Sequence, residues 1–198
     1  PDVNEMFTAL GDNSLINGYG GTDKVIIAGD LSNYTVSGSS DSAFIDSITT
    51  AKKGRSSSTS VTPLNSLKSM EIVQVNAGSS NNVVNAGGFA DGTATKSPFS
   101  GMLIASGGAG VDTITGGTFK NWLAGRGFAS GVTNGVETIT GTTASGSADF
   151  FDLRNDALTG AAYVGGNNSD YAKIVNFNAS TDKLVLTGSL SSYKFAFT

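Results

Sequence analysis

A glycine-rich repeat of nine residues is the feature of this 198-residue chain that most restricts its fold. Residues 107–115 (GGAGVDTIT) match G-G-x-G-x-D-x-U-x at every defined position, where U is a large apolar residue. Residues 116–124 repeat the glycine pair and the apolar eighth position, with Asn121 in the place of Asp112. Residues 18–26 (GYGGTDKVI) depart from the pattern at one position. One such unit cannot bury its own apolar face, so several must pack together.

The composition predicts an all-β chain. Only three of the 16 acidic residues are Glu, a residue that favours helices, whereas Gly reaches 27 residues and tolerates tight turns. We therefore expect a right-handed parallel β-roll or β-solenoid with irregular excursions, in which two nonapeptides close one turn. Eighth-position residues such as Val25 and Ile114 should point into a narrow apolar core.

The chain is predicted to form one solenoid domain over residues 1–198. Residues 1–30 hold the first rungs, and residues 31–77 read as spacer strands that include a polar, exposed loop at 51–62. Residues 78–198 hold further rungs and end in C-terminal strands, predicted at 173–177, 183–186 and 192–197.

Several functional classes are excluded by what the chain lacks. It contains no Cys and no His, which excludes disulfides, Cys nucleophiles, Ser-His-Asp triads and zinc sites built from those ligands. A net charge of −4 argues against nucleic-acid binding, which needs a basic surface. No apolar run approaches the ~20 residues needed to cross a bilayer, and the first residues do not read as a signal peptide.

The repeats resemble the repeat-in-toxin, or hemolysin-type calcium-binding repeat, family in a degenerate form. The match at 107–115 is the most specific, the one at 18–26 supports it, and residues 165–186 resemble the closing phrase of such domains. The segments 31–36 and 67–71 are similar to spacer strands of bacterial, notably cyanobacterial, surface proteins. The resemblance implies a β-roll, calcium held in the turns, export without a cleaved N-terminal signal, and folding in calcium-rich surroundings.

The resemblance also implies which residues would hold Ca²⁺, an ion that takes six to eight oxygen ligands at about 2.3–2.6 Å. The implied ligands are the carboxylates of Asp112 and Asp23 and the carbonyls of Gly107, Ala109, Gly18 and Gly20. Further candidate carboxylates are Asp41, Asp149, Asp152, Asp170 and Asp182. Same-side turns of a β-roll lie eighteen residues apart, and Asp23 and Asp41, like Asp152 and Asp170, have that spacing. The alternative for each is an Asp that bonds the backbone of its own turn.

The sequence favours a secreted or cell-surface protein that binds calcium and acts as a structural or interaction protein of the surface, a fibre or a matrix. Its expected partners are calcium, further copies of itself in fibres or layers, and cell-surface glycans; we expect no enzyme activity. A calcium-dependent secretion or folding module of a larger exported enzyme is one alternative, and a β-helical polysaccharide-active enzyme is a lesser one. The aromatic residues, expected in the core or stacked between rungs rather than on a sugar-binding platform, are Trp122, Phe150, Phe151 and Phe177.

Overall fold

The fold consists almost entirely of β-strands. The computed structural model describes residues 6–9, 14–17, 23–29, 34–39, 42–53, 56–68, 72–78, 81–86, 102–126, 135–144, 147–154, 163 and 169–196. Within these residues there are fifteen strands and one 3-10 helix, Leu190–Ser192. No helix in the described part of the chain has the length and apolar character of a membrane span.

The strands form three sheets, two of which are entirely parallel. The seven-stranded sheet contains, in spatial order, β1 (Met6–Ala9), β3 (Lys24–Gly29), β7 (Ile72–Ala77), β9 (Met102–Ser106), β11 (Lys120–Ala124), β13 (Asp149–Asp152) and β15 (Lys183–Val185). The four-stranded parallel sheet contains β14 (Tyr171–Val175), β12 (Val136–Thr140), β10 (Thr113–Thr115) and β8 (Val83–Asn85). The mixed sheet contains β2 (Ser14–Asn17), β6 (Ser56–Lys68), β5 (Ser42–Lys53) and β4 (Tyr34–Ser39).

The apolar core lies between the two parallel sheets. Strands such as β7 alternate half-buried and buried residues, because successive side chains of a strand point to opposite faces. Parallel pairing aligns one inward row across the seven-stranded sheet: Ile27, Val75, Ala105, Leu123 and Phe151. The four-stranded sheet adds a second row to the same core: Val84, Ile114 and Ile139.

The predicted right-handed β-roll or β-solenoid is wrong. A roll of paired nonapeptides requires neighbouring strands of one sheet to lie eighteen residues apart. Among the described strands only two pairs meet that spacing: Met6 with Lys24, and Met102 with Lys120. The other pairs in the two parallel sheets are separated by 25 residues (Thr113 with Thr138) to 48 residues (Lys24 with Ile72). The described residues form two all-parallel sheets and a mixed sheet, and no closed coil of uniform turns.

Two local features also differ from the sequence prediction. Where an exposed loop was expected at 51–62, β5 and β6 pair antiparallel along their length, down to Lys53 and Ser56. This segment is rich in Ser and Thr, and Thr favours strands because it is branched at Cβ. Near the C-terminus, β14 and β15 lie where strands were predicted, but the last predicted strand, 192–197, is not found: the 3-10 helix ends at Ser192, and residues 193–196 have no regular secondary structure.

From β7 onward the chain passes back and forth between the two parallel sheets. We call the described residues of each passage a corner, and the corners lie next to one another because the strands on either side pair in register. The chain enters the seven-stranded sheet after β8, β10, β12 and β14, and the four-stranded sheet after β7, β9, β11 and β13. Polar residues of these corners are brought together by that arrangement.

Candidate functional site

A row of buried polar side chains runs along the corners that enter the seven-stranded sheet. We call it the amide ladder; it consists of Asn121, Asp149 and Asp182. Asn121 pairs with Asp149 across β11 and β13, and Asp182 comes directly before β15, whose Lys183 pairs with Phe150. All three occupy the inward position at which earlier strands of the sheet carry Val25, Val73 and Leu103. A polar row has therefore replaced an apolar one in the same interior.

The amide of Asn121 lies among several oxygens. Its Nδ2 group is 2.7 Å from Asp149 Oδ1, 3.0 Å from the Gly117 carbonyl and 2.6 Å from the Phe119 carbonyl. Its Oδ1 accepts a hydrogen bond of 2.9 Å from the Gly117 amide. The neutral side chain of Asn121 thus bonds the backbone of its own turn and links it to Asp149 on the neighbouring strand β13.

Backbone N–H groups surround the two carboxylates of the ladder. Asp149 Oδ2 accepts from the Thr142 amide at 2.6 Å, and Asp182 accepts from the Asp149 amide at 3.0 Å and the Asn178 amide at 2.8 Å. Burial raises the pKa of Asp149, while the hydrogen bonds from Asn121 and Thr142 lower it. The carboxylates act as turn-holding groups, the alternative that the sequence left open for each Asp.

The residues of the amide ladder do not fit a calcium ion. A calcium site needs several oxygens that converge on one point. Here the point shared by Asp149 Oδ1 and the carbonyls of Gly117 and Phe119 is taken by the Nδ2 group of Asn121, an N–H donor. The remaining carboxylate oxygens of the ladder also accept from N–H or O–H groups.

The full nonapeptide match forms the corner between β9 and β10. Gly108 and Gly110 have φ angles of 85° and 113°, a region that side chains disfavour, which explains two of the glycines. A Cβ at Gly107 would overlap the carboxylate of Asp112, so a third glycine makes room for that group. Asn82 Nδ2 lies 3.1 Å from both the Gly107 carbonyl and Asp112 Oδ1. An amide again bridges two oxygens that were predicted to hold calcium.

Next to this corner lies a group of ionisable residues, three of which were not among the predicted calcium ligands. We call it the acidic corner; it consists of Asp112, Arg126, Glu137, Tyr163 and Asp170. Glu137 Oε2 accepts from the Asp112 amide at 2.6 Å, Arg126 forms an ion pair with Asp170, and its guanidinium lies 4.2 Å from the Tyr163 ring centre. The guanidinium of Arg126 thus pairs with Asp170, while the carboxyl groups of Asp112 and Glu137 have no ion pair among the described residues.

The ionisation of the acidic corner is unfavourable. Burial, with a contribution from Glu137, raises the pKa of Asp112 to about 7, and burial also raises the pKa of Glu137 to about 7. Within the described part of the chain, Asp112 Oδ2, Glu137 Oε1 and the Tyr163 hydroxyl have no hydrogen-bond partner. Each of these carboxylates is desolvated and keeps one oxygen without a donor, which favours protonation, so the two acids bind protons that the unfolded chain releases.

This corner should make the fold less stable as the pH rises from about 5 to about 8. The unfolded carboxyls ionise at 3.8 and 4.5, whereas the folded ones hold their protons to about 7. Between these values the folded chain binds more protons, so its stability falls with increasing pH and the contribution is lost above about 7. We expect the melting temperature to fall by several degrees over this range, as measured by circular dichroism.

Glu137→Gln provides the control for this pH dependence. Gln retains an oxygen that can accept from the Asp112 amide but does not titrate. The variant should show a shallower decline of melting temperature with pH than the native chain. If the melting temperature of the native chain stays constant or rises from about pH 5 to about pH 8 at constant ionic strength, the raised pKa values of Asp112 and Glu137 are contradicted.

The remaining predicted calcium ligands are dispersed. Asp152 accepts from Trp122 Nε1 at 2.9 Å and pairs with Arg154, whereas Asp170 pairs with Arg126, so the two do not share a site. Asp23 is buried at the start of β3, and the Ala109 amide donates to the Gly78 carbonyl at 3.1 Å. Gly18, Gly20 and Asp41 lie outside the described residues. Among the residues that are described, no three acidic groups are close enough together to hold a metal ion.

Three of the five residues of the acidic corner were not predicted from the sequence. Arg126, Glu137 and Tyr163 lie outside the nonapeptide matches, so no repeat position marks them. One signal was available: Glu137 is one of only three Glu residues, and it stands in the apolar, strand-like segment VETIT. An acid on the inward side of a strand must have a buried partner.

Comparisons with known proteins assign no family to this chain. No protein-family model matches it, and neither the curated proteins nor the solved structures contain a significant match. The resemblance to repeat-in-toxin proteins, and the calcium binding that it implies, therefore stay predictions.

Proposed function

We propose that the chain is a non-catalytic structural and interaction protein of an extracellular surface, fibre or matrix. The observation that carries this proposal is the use of its buried acids: Asp149 and Asp182 hold backbone amides, and Asp152 and Asp170 are paired with arginines. Such contacts stiffen a β-structure and leave these groups no capacity for chemistry.

An enzyme would require reactive groups that a substrate can reach. The raised pKa values of Asp112 and Glu137, both about 7, are of the kind found in catalytic acids and bases. However, the exposed fraction is 1% for Asp112 and 0% for Glu137, so neither carboxyl contacts the solvent from which a substrate would come. This geometry favours a scaffold over the polysaccharide-active enzyme.

Assembly with further copies of the chain is supported by the edges of the seven-stranded sheet. The strands β1 and β15 lie at opposite edges and run in the same direction, so β15 of one copy could extend the sheet of the next copy at β1. Head-to-tail contacts of this type produce filaments when they do not close into a ring. Large apolar residues are exposed in the part of the chain from β14 onward: Tyr171, Leu190 and Phe195.

Sedimentation velocity tests this proposal. We expect the native chain to form larger species as its concentration rises, and negative-stain electron microscopy to show chains of molecules. Leu190→Lys should reduce this association, because a charge at an exposed apolar contact must be desolvated when copies join.

Val111→Lys is the matched control for Leu190→Lys. Val111 is also an exposed apolar residue, but it lies in the corner between β9 and β10. This variant should associate like the native chain. A native protein that sediments as a monomer at every concentration, with and without calcium, would contradict the proposed assembly.

A second candidate, a folding module of a larger exported protein, retains the same fold and the same contacts. The two proposals differ in what accompanies the chain. The complete reading frame distinguishes them: a catalytic domain in the same polypeptide would favour the module.

A further inference from the structure

A polar cleft separates two of the corners that enter the seven-stranded sheet. One wall is the corner after β12, with Thr142, Thr143, Ala144 and Ser147; the other is the corner after β14, with Asn176, Phe177, Asn178 and Thr181. Asp182 of the amide ladder also lines the cleft. Its volume of about 400 Å³ is within the range of about 300–1,000 Å³ typical of small-molecule sites.

The cleft is held open by contacts within and between its walls. Asp182 accepts from the Asp149 amide that follows the first wall and from the Asn178 amide of the second. Asn176 Nδ2 lies 3.3 Å from the Gly141 carbonyl, and Ser147 donates to the Thr118 carbonyl of the next corner at 3.0 Å. A ligand would therefore meet a preformed site, which lowers the ordering cost of binding.

The side chains that face the cleft are polar and mostly uncharged. Hydroxyl and amide groups predominate, and the one acidic side chain, Asp182, is already bonded to backbone amides. Within the described residues, Asn178 Nδ2 and Asn176 Oδ1 have no hydrogen-bond partner, and the Thr143 side chain is exposed. The cleft thus offers both a donor and an acceptor to a ligand.

The aromatic ring of Phe177 adds an apolar surface to this polar site. The ring packs at 5.8 Å and a tilt of 56° on the buried Phe151, yet the exposed fraction of Phe177 is 40%. The sequence predicts this ring in the core or stacked between rungs. Its exposure instead leaves an anchored aromatic surface beside amides and hydroxyls.

We infer that this cleft binds a neutral saccharide. A sugar ring has an apolar C–H face that can pack on Phe177 and hydroxyl groups that both donate to and accept from Asn176 and Asn178. Among the described lining residues there is no Lys or Arg, and the chain carries a net charge of −4, so an anionic sugar would be disfavoured. The inference rests on the proposed function, because it specifies what an interaction protein would bind.

Nuclear magnetic resonance with two neutral probes, maltotetraose and cellotetraose, tests the inference. At millimolar concentration at least one of them should cause saturable shifts at the backbone amides of Thr143, Phe177 and Asn178. Tetragalacturonate, the anionic probe, should bind more weakly. The absence of saturable shifts at these amides with both neutral sugars, or tighter binding of tetragalacturonate, would overturn the inference.

Phe177→Ala should weaken binding of the responding sugar about tenfold, since the apolar C–H face of the sugar loses the aromatic surface on which it packs. Val111→Ala is the control, because Val111 has a similar exposed fraction, 42%, and does not line the cleft. Thr143→Val, at an exposed position, removes one hydroxyl without affecting the core and should weaken binding to a lesser extent.

Equal affinities of the native chain, Phe177→Ala and Thr143→Val for the sugar would overturn the assignment of the saccharide site to this cleft. If the chain self-associates but binds neither neutral sugar, the saccharide inference is wrong and the proposed structural function is unaffected.

Discussion

Replacing Asn121 by Asp should destabilise the fold by about 3–5 kcal/mol, the usual cost of an uncompensated buried charge. The substitution exchanges the Nδ2 donor for an oxygen that faces Asp149 Oδ1 and the carbonyls of Gly117 and Phe119. Domains unfold with free energies of about 5–15 kcal/mol, so a large share of the stability would be lost. Urea denaturation of Asn121→Asp beside the native chain measures this difference.

Asn81→Asp is the control with the same chemical change. Asn81 is exposed, and its Oδ1 accepts from the Val111 amide, a role that Asp can keep. We expect a cost within about 0.5 kcal/mol, as for most surface substitutions. Similar free energies of unfolding for the two variants would contradict the hydrogen bonds that the buried Asn121 Nδ2 group donates.

Calcium provides a further readout for the Asn121→Asp variant. In this variant two carboxylates would adjoin two backbone carbonyls, a set of oxygens suited to Ca²⁺. Millimolar calcium should raise the melting temperature of Asn121→Asp more than that of the native chain, by mass action on the folded state. If calcium changes the melting temperatures of Asn121→Asp and of the native chain equally, calcium does not bind at the position that the Asn121 amide occupies in the native chain.

Phe151→Ala should also cost about 3–5 kcal/mol, because truncating a buried Phe removes apolar burial and leaves a cavity. Phe151 is fully buried, and it belongs to the inward row of the seven-stranded sheet together with Leu123 and Ala105. Its contact with Phe177 would be lost as well. Urea denaturation monitored by circular dichroism reports the change in the free energy of unfolding.

The neighbouring residue gives a control within the same strand. Phe150 points to the opposite face of β13, is half-buried, and stacks on Trp122 with ring centres 5.2 Å apart. Phe150→Ala should cost only about 1–2 kcal/mol, mainly the aromatic contact and part of the ring's burial. If Phe150→Ala lowers the free energy of unfolding more than Phe151→Ala does, Phe150 and not Phe151 faces the core, which would contradict the described packing of β13.

The sequence was sufficient to predict strands and the direction of their main apolar side chains. The eighth-position residues Val25 and Ile114 are both fully buried, as the nonapeptide pattern indicates. Trp122 and Phe150 stack on adjacent strands, as expected. These features follow from local rules, namely the alternation of side chains along a strand and the tolerance of glycine for left-handed turns.

The arrangement of the strands could not be predicted from the repeat. Pairing depends on long-range register, and insertions of variable length between strands leave the inward alternation intact while changing the spacing. The step from Lys24 to Ile72 is an example, because three strands of the mixed sheet, β4, β5 and β6, are inserted between β3 and β7. A local period of nine therefore says little about the number of residues in each turn of the chain.

The candidate sites could be predicted only in part, because they too depend on contacts between residues that are far apart in the sequence. Asn121 occupies the repeat position of Asp112, so its place in a corner was visible in the sequence, although its bond to Asp149 was not. The ion pair of Arg126 with Asp170 joins residues 44 positions apart, and no local pattern encodes such a contact. Whether an Asp binds a cation or an N–H group depends on its neighbours in space.

The central claim is that N–H donors, and not metal ions, hold the amide ladder together. Hydrogen exchange at the Thr142, Asp149 and Asn178 amides, which donate to Asp149 and Asp182, tests it most directly. With a calcium chelator present, these three amides should exchange as slowly as those of the core strands. Rapid exchange in chelator, with protection only after calcium is added, would contradict the account.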